Sequence, residues 1–318
     1  MNSTIGICEG QQFELETHRT RIIQYCQGFS LKTSEITLSV ALYIVVAAGG
    51  SFGNMVVILV IRRTPNLKTV CGVLIANLAV ADLLVTAIAV PMVISGLIQN
   101  VVPQCSLSAS RFALIAIGRY STTASLLTLV ALSVDRCWAI VSPLSHKLKM
   151  TSSKLKMVLV FIWLVSPILP ALEVLSRLDH WFQVRVRTAA VIACYAAIVA
   201  SGIVTLMNVR HRSSKIRNLH ENRSNSQIST DLRERDKLVA KTIALIVVVF
   251  SLCWVPILSI VAIFPDQYTR LHFWSGFFGL ANSALNPCIY FYRQRNYRQA
   301  FKELVVPSLL TVAVARSN

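Results

Sequence analysis

The sequence predicts an all-α membrane protein, a bundle of seven transmembrane helices followed by a short eighth helix at the cytoplasmic surface. Two observations carry that expectation. Of 318 residues, 54% are hydrophobic and only 14% charged, with a mean hydropathy of +0.60, whereas soluble domains carry about 25% charged residues. The apolar residues also gather into long blocks. A helix rises about 1.5 Å per residue, so crossing a hydrocarbon layer about 30 Å thick takes roughly 20 mostly apolar residues.

Seven blocks meet that length: 36–61, 70–98, 108–141, 155–176, 188–209, 238–264 and 271–292. Backbone polar groups cannot stay unpaired in lipid, so these blocks must be helices rather than open strands. Residues 1–35 hold Glu9, Glu14, Glu16, Arg19 and Arg21 and lack the apolar core of a signal peptide. They are expected to form an extracellular N-terminus ahead of a bundle over 36–293, with an interfacial helix over 294–304 and a short cytoplasmic tail over 305–318.

The net charge of +17 would suggest nucleic acid in a soluble protein. Here most of the basic residues flank every second turn between spans: Arg62, Arg63 and Lys68, then Lys147, Lys149, Lys154 and Lys156, then Arg210 to Lys241, then Arg293 to Lys302. The excess of positive charge on those turns places them in the cytoplasm and the N-terminus outside. No nucleic acid is expected as a partner; membrane lipid is. The eight cysteines divide likewise. Cys71, Cys137, Cys194, Cys253 and Cys288 sit in or beside spans, while Cys8, Cys26 and Cys105 face the oxidising exterior as disulfide candidates. Asn2-Ser3-Thr4 is a glycosylation sequon on the same side.

An ionisable residue inside a span is costly and marks the bundle interior. Asp82 lies in mid-span, and Asn54, Ser125, Asn282, Ser283 and Asn286 supply polar partners on other spans. Two readings stand side by side: a hydrogen-bonded packing network, or a cation or proton site that biases two helix arrangements. Asp135 and Arg136 close the third block, where a carboxylate beside a guanidinium can sit at the membrane boundary. Asp236, at the start of the sixth span, offers a second partner for Arg136. The alternative is ordinary interface charge that snorkels to water. Pro91, Pro170, Pro256 and Pro287 remove donors within spans and open or bend the helix. Phe250 and Trp254 are four residues apart, hence on nearly one face, beside the turn that Pro256 weakens.

Taken in order, these residues resemble the rhodopsin-like, or class A, G-protein-coupled receptors over about residues 40–303. Gly53-Asn54 matches the pair of helix one, and Leu78 with Asp82 matches Leu-x-x-x-Asp of helix two. The Asp-Arg-Tyr motif stands as Asp135-Arg136-Cys137, followed by Ile140 and Pro143, and the helix-four tryptophan is Trp163. Phe250, Cys253, Trp254 and Pro256 match Phe-x-x-Cys-Trp-x-Pro. Asn286-Pro287-Cys288-Ile289-Tyr290 matches Asn-Pro-x-x-Tyr, and Tyr297-Arg298 opens the eighth helix.

The resemblance implies a receptor that binds an extracellular ligand and activates a heterotrimeric G protein. In it Asp135 and Asp236 hold Arg136 at rest, and outward movement of helix six releases it. It implies a sodium pocket at Asp82, Ser125, Asn282, Ser283 and Asn286, with Asp82 as the metal ligand, a pivot at Phe250, Trp254, Pro256 and Pro287, and Tyr290 as a support of the active arrangement. It also implies contact with arrestin through the serines of the third inner loop.

The chain departs from the family at several points. The usual helix-three cysteine position is Arg111, Cys105 lies six residues earlier, and the second outer loop has no cysteine. Cys26–Cys105 and Cys8–Cys26 remain as pairings. Helix five lacks its proline, and Tyr195 is too far out to serve as its inner tyrosine. A short second loop without these features is similar to that of the melanocortin, cannabinoid and lysophospholipid receptor cluster. The lysine that binds retinal in opsins falls at Leu280, so no retinal or other organic cofactor is expected. The aspartate that binds amines falls at Gly118. Arg119 stands next to it among Arg111, Arg177, Arg185, Arg187 and Arg270, which favours a ligand bearing an acidic group, unless Arg119 pairs with Glu173 or turns outward. Gly118, Arg119 and Trp254 are therefore the ligand-pocket candidates.

Other classes fare worse. A transporter would show internal repeats, and none is visible. An enzyme is not expected, because His-Glu-x-x-His, Gly-x-Ser-x-Gly and cysteine–histidine constellations are missing. A non-signalling or decoy receptor is the alternative, since Cys137 replaces tyrosine and helix five is atypical. The expected site is the plasma membrane, crossed several times.

Overall fold

The computed structural model describes residues 30–99, 109–168, 170–171, 180–220, 245, 247–261, 263–264, 268–293 and 297–303. Seven helices are numbered along the chain: α1 Thr33–Arg63, α2 Val70–Ile98, α3 Ala109–Val141, α4 Ser152–Val165, α5 His180–His220, α6 Val247–Val261 and α7 Arg270–Arg293. A short helix, Pro143–Lys149, follows α3. A last one, 297–303, follows α7.

Local chemistry sets the helix ends. Glu35 in the first turn of α1 accepts the Lys32 backbone N–H at 2.8 Å, and Arg62 and Arg63 occupy its last turn. Acid at the start and base at the end complement the helix dipole. Thr69 caps α2 by accepting the Gly72 N–H at 3.1 Å, and Thr151 caps α4 through the Lys154 N–H at 3.4 Å. Pro143 starts its short helix, where a missing N–H costs nothing.

Helix α5 is longer than its apolar block. It continues from 209 to His220 through Arg210, Arg212, Lys215 and Arg217, and it begins at His180, so most of the expected second outer loop, 177–187, is helical. Straight-chain cations are good helix formers and carry a helix into water once the apolar stretch has seeded it.

Helix α2 is not regular. Residues Val85–Ala89 form one π turn, with the Val90 N–H bonded to the Val85 carbonyl, just ahead of Pro91. The proline offers no N–H and its ring crowds the preceding turn, which the wider turn relieves.

The packing is that of a membrane bundle. Leu38, Val45, Phe52, Phe161, Leu164, Met207 and Leu252 face outward, whereas Asn54, Asp82, Thr86, Ser121, Thr128 and Asn286 are buried. In lipid no hydrophobic force holds helices together, so close approach and interior hydrogen bonds must. Helix α1 packs on α2 and α7, and α3 packs on α2 and α5. At the contact of α1 with α7, a Cβ placed on Gly53 would lie 2.9 Å from Pro287 Cβ, and one on Gly50 would lie 2.9 Å from Ala284 Cβ. Only glycine permits that approach. At the Glu35 end, Tyr43, Phe273 and Phe277 form a second apolar cluster, with Tyr43 and Phe277 edge-on at 5.1 Å. Arg270 meets Glu35 at 3.7 Å and ties the start of α7 to the start of α1.

By length and composition, four helices among the described residues can cross a membrane alone: Thr33–Arg63, Val70–Ile98, Ala116–Val141 and Arg185–His211. The remaining described helices, α4, α6 and α7, run alongside these as shorter or more polar members. Together they form the all-α, seven-helix bundle that the sequence predicts.

Candidate functional site: a buried polar spine and a clamped arginine

The interior polar residues form a continuous spine. Asp82 is fully buried on α2. Its Oδ1 accepts the Ser125 hydroxyl of α3 at 2.7 Å, and its Oδ2 accepts the Asn286 amide of α7 at 2.7 Å. On α1, the Asn54 amide donates to the Ser283 carbonyl at 3.0 Å and to its own Gly50 carbonyl at 2.9 Å. Ser51 donates to Thr86 at 3.2 Å, and Thr86 donates to the Asp82 carbonyl at 3.0 Å, across the π turn. The aspartate thus joins α2, α3 and α7, while Asn54 and Ser51 fasten α1 to the same core. Asn282 and Ser283 are buried on α7, with Asn282 one turn before Asn286.

The partners of the Asp82 carboxylate, Ser125, Asn286 and the Ser283 side chain, are all neutral donors, so hydrogen bonding satisfies its oxygens without cancelling its charge. The donor set is oxygen-rich and hard, of the kind an alkali or alkaline-earth cation takes. One carboxylate matches one monovalent charge. The Oδ1 of Asn54 is buried without a partner among the described residues. These residues fit a sodium ion. Among the described residues no cluster of three or more His, Cys, Asp or Glu exists that would suit a transition metal.

A second joint lies on the other face of α2. Asn77 donates to Thr128 of α3 at 2.8 Å and accepts the Trp163 indole N–H of α4 at 2.8 Å. One amide thereby uses its donor and its acceptor to hold three helices. Trp163 was legible from its place in the fourth span. Asn77 and Thr128 were not, because uncharged polar residues are common in spans.

At the inner end of α3, Asp135 is 2% exposed and receives the Arg136 guanidinium through Nε at 2.9 Å and Nη2 at 2.5 Å. Both donors converge on the single oxygen Oδ2, and such charge-assisted bonds are stronger than those between neutral groups. The other carboxylate oxygen has a partner that the sequence did not suggest. His146 Nε2 of the short helix lies 2.8 Å from Asp135 Oδ1, and its ring stands edge-on to Trp138 at 5.3 Å. The signal for it is a histidine eleven residues after the aspartate, just past a proline-started turn. The expected second partner of Arg136, Asp236, lies outside the described residues.

The joint on α6 and the end of α7 complete the site. Phe250 and Trp254 stack with centroids 5.7 Å apart, one and a half turns before Pro256 in the case of Phe250. Pro287 sits inside α7 without breaking it. Tyr290 is buried and its ring lies 6.3 Å from that of Tyr297, while Phe291 meets Phe301 at 5.6 Å. Aromatic contacts thus dock the last helix onto α7, and burial pushes the Tyr297 phenol above its usual pKa. Tyr195 does not reach Tyr290; its hydroxyl lies 2.6 Å from that of Ser251 on α6.

Of the ligand-pocket candidates, Gly118 and Arg119 are half-buried on α3, and a side chain at Gly118 would enter open space. Trp254 is half-buried on α6. Arg119 makes a contact of its own, as do Arg185 and Arg187. Cys71, Cys137, Cys194, Cys253 and Cys288 are free thiols. Asn2, Cys8, Cys26 and Cys105 lie outside the described residues.

A lipid-facing seven-helix bundle with a polar spine inside and a clamped arginine at one end is a heptahelical membrane protein. The model of the "7 transmembrane receptor (rhodopsin family)" matches residues 53–290. The chain belongs to that family, and it is a receptor rather than an enzyme. It is 29% identical to an octopamine receptor beta-1R of Drosophila melanogaster over 82% of this chain and 59% of that protein. Against neuropeptide receptor 22 of Caenorhabditis elegans it is 25% identical over 86% of this chain and 70% of that protein. Against an alpha-1A adrenergic receptor of Oryzias latipes it is 26% identical over 80% of this chain and 64% of that protein. The chain thus spans somewhat under two thirds of the octopamine and adrenergic receptors' lengths.

Proposed function

We propose that this chain is a plasma-membrane receptor, with residues 1–35 outside, that binds an extracellular ligand and activates a heterotrimeric G protein. The observation that carries the reading is the buried Asp135, held by both Arg136 and His146. A guanidinium kept on a neighbouring carboxylate at the inner end of a helix is a binding group held in reserve. Freed, it presents five donors to an incoming partner. The release is an outward swing of α6 about Pro256, which opens the space beside Arg136. The bases from Arg210 to Arg217 on α5, with those of the neighbouring inner turns, suit an acidic partner surface and anionic lipid. Arrestin would meet the serines of the same inner segment.

Sodium at Asp82 would stabilise the resting arrangement, because it neutralises the charge that α2, α3 and α7 share. When bound, the ion supplies charge compensation only. Ser125 and Asn286 orient the carboxylate for it.

The ligand carries an acidic group. Relatives include receptors named for octopamine, but the residue that would meet an amine is Gly118 here, and its neighbour Arg119 is a cation. Arg185 and Arg187, on the first turns of α5, add positive charge on the same side.

The test is a second-messenger screen in cells with acidic lipids, peptides, nucleosides and amines on wild type, Arg136→Ala and Arg119→Ala. Signalling that needs Arg136, with potency for an acidic ligand lost in Arg119→Ala, supports the reading. Full potency in Arg119→Ala removes the acidic-ligand proposal. Silence to every ligand at confirmed surface expression favours a decoy receptor.

A further inference from the structure

Helices α5 and α6 meet through a hydrogen bond whose direction the local chemistry fixes. The hydroxyls of Tyr195 and Ser251 are 2.6 Å apart, and Ser251 Oγ also lies 2.6 Å from the Val247 carbonyl. A serine hydroxyl has one proton, and a carbonyl can only accept. Ser251 therefore gives its proton to Val247, and Tyr195 is the donor to Ser251. The chain of donors runs from α5 through a side chain into the backbone of α6.

That anchorage falls where α6 is weakest. A serine bonded back to the carbonyl four residues earlier bends its helix, and Pro256 leaves the Leu252 carbonyl without its helical donor. Ser251 is adjacent to Phe250, which stacks on Trp254. Beside them is an apolar cavity lined by Leu129, Leu132 and Ser133 of α3, Tyr195 and Ile198 of α5, and Phe250. The Phe250 ring packs in the core beside this small cavity, and the neighbouring hydroxyl pair ties its segment to α5. On the receptor reading above, the intact Asp135–Arg136 pair corresponds to the resting arrangement.

We propose that Tyr195 is a positioning residue of the switch: its hydroxyl pins α6 to α5 at Ser251 and holds Phe250 and Trp254 in the resting arrangement. The inference rests on the receptor reading above and names a regulator of the same site.

The test compares wild type, Tyr195→Phe, Ser251→Ala and the double variant, with Asp135→Asn as reference, in ligand-independent activation of a panel of G proteins at matched surface expression. Losing one such bond predicts about a fivefold rise in basal activation for each single variant. The double variant should rise no further, because both changes remove the same link. A residue that only stabilises the fold would lower expression without this shared rise. Hydrogen exchange of the 247–255 amides in the purified receptor gives a readout independent of coupling, and both single variants should exchange faster. Faster exchange without a basal rise, or unchanged exchange in both, overturns the proposal. A rise in Asp135→Asn but not in Tyr195→Phe overturns this inference alone. Failure of every variant, Asp135→Asn included, to change activation overturns the receptor reading and this inference with it.

Discussion

Replacing Asp82 by asparagine is nearly isosteric and separates hydrogen bonding from charge. The carboxylate accepts from Ser125 on one oxygen and from Asn286 on the other, each at 2.7 Å. Asparagine keeps one acceptor for Ser125 and turns an N–H₂ toward Asn286. If the Asn286 amide turns over, its oxygen receives that donor and both bonds survive. The hydrogen-bond change then stays within about 1 kcal/mol, and what is lost is the buried negative charge. A cation that binds only the folded protein adds about 1.4 kcal/mol for each tenfold rise above its dissociation constant. In a receptor of this size that is a shift of a few degrees in unfolding midpoint. The assay is thermal unfolding of the purified receptor in sodium chloride against choline chloride at constant ionic strength. Wild type should gain stability with sodium, whereas Asp82→Asn should show a flat response and equal or exceed wild type in choline. Equal sodium dependence in the two proteins, or none in wild type, would refute the sodium reading.

Other substitutions probe the remaining joints. Asn77→Ala removes two interhelical bonds of 2.8 Å, and at about 0.6 to 1.7 kcal/mol each it should lower stability by about 1–3 kcal/mol in a denaturant titration. Thr128→Val, which removes one of them, should cost about half as much. Gly53→Leu forces a Cβ to within 2.9 Å of Pro287, and overpacking of about 1–3 kcal/mol should reduce the folded yield, with Gly53→Ala milder. His146→Ala takes away the second partner of Asp135 and should raise ligand-independent signalling, while His146→Gln restores a donor and should reverse much of that rise. Unchanged basal signalling in His146→Ala, measured at equal surface expression, would show that the histidine contributes nothing to the clamp.

What the sequence disclosed followed the strength of the physical penalty. An aspartate in mid-span is so costly that Asp82 announced itself, and its partners followed from asking which spans could satisfy it. Adjacency made the Asp135–Arg136 pair visible. Four of the spans were legible because lipid thickness imposes a minimum apolar length. The Asn77 joint was hidden because a neutral amide in a span carries little cost and many such residues point nowhere in particular. His146 was hidden because its position depends on how a short proline-started helix folds back under α3, which spacing does not encode. Tyr195 lies too far out along α5 to meet Tyr290. Its partner is Ser251, a residue whose ordinary appearance in the sequence masks that it relays a donor chain to the Val247 carbonyl.

The π turn at Val85–Ala89 alters how α2 must be counted. A regular helix advances about 100° per residue, so the one extra residue turns everything beyond Ala89 by roughly that angle relative to Asp82. Residues of the outer half, Pro91 to Ile98, therefore present a face that a straight 3.6-residue projection from Asp82 would assign to their neighbours. A scan for ligand contacts on this helix should be registered from Val90 outward; deleting one residue within 85–89 would rotate the whole outer face while leaving Asp82 where it is.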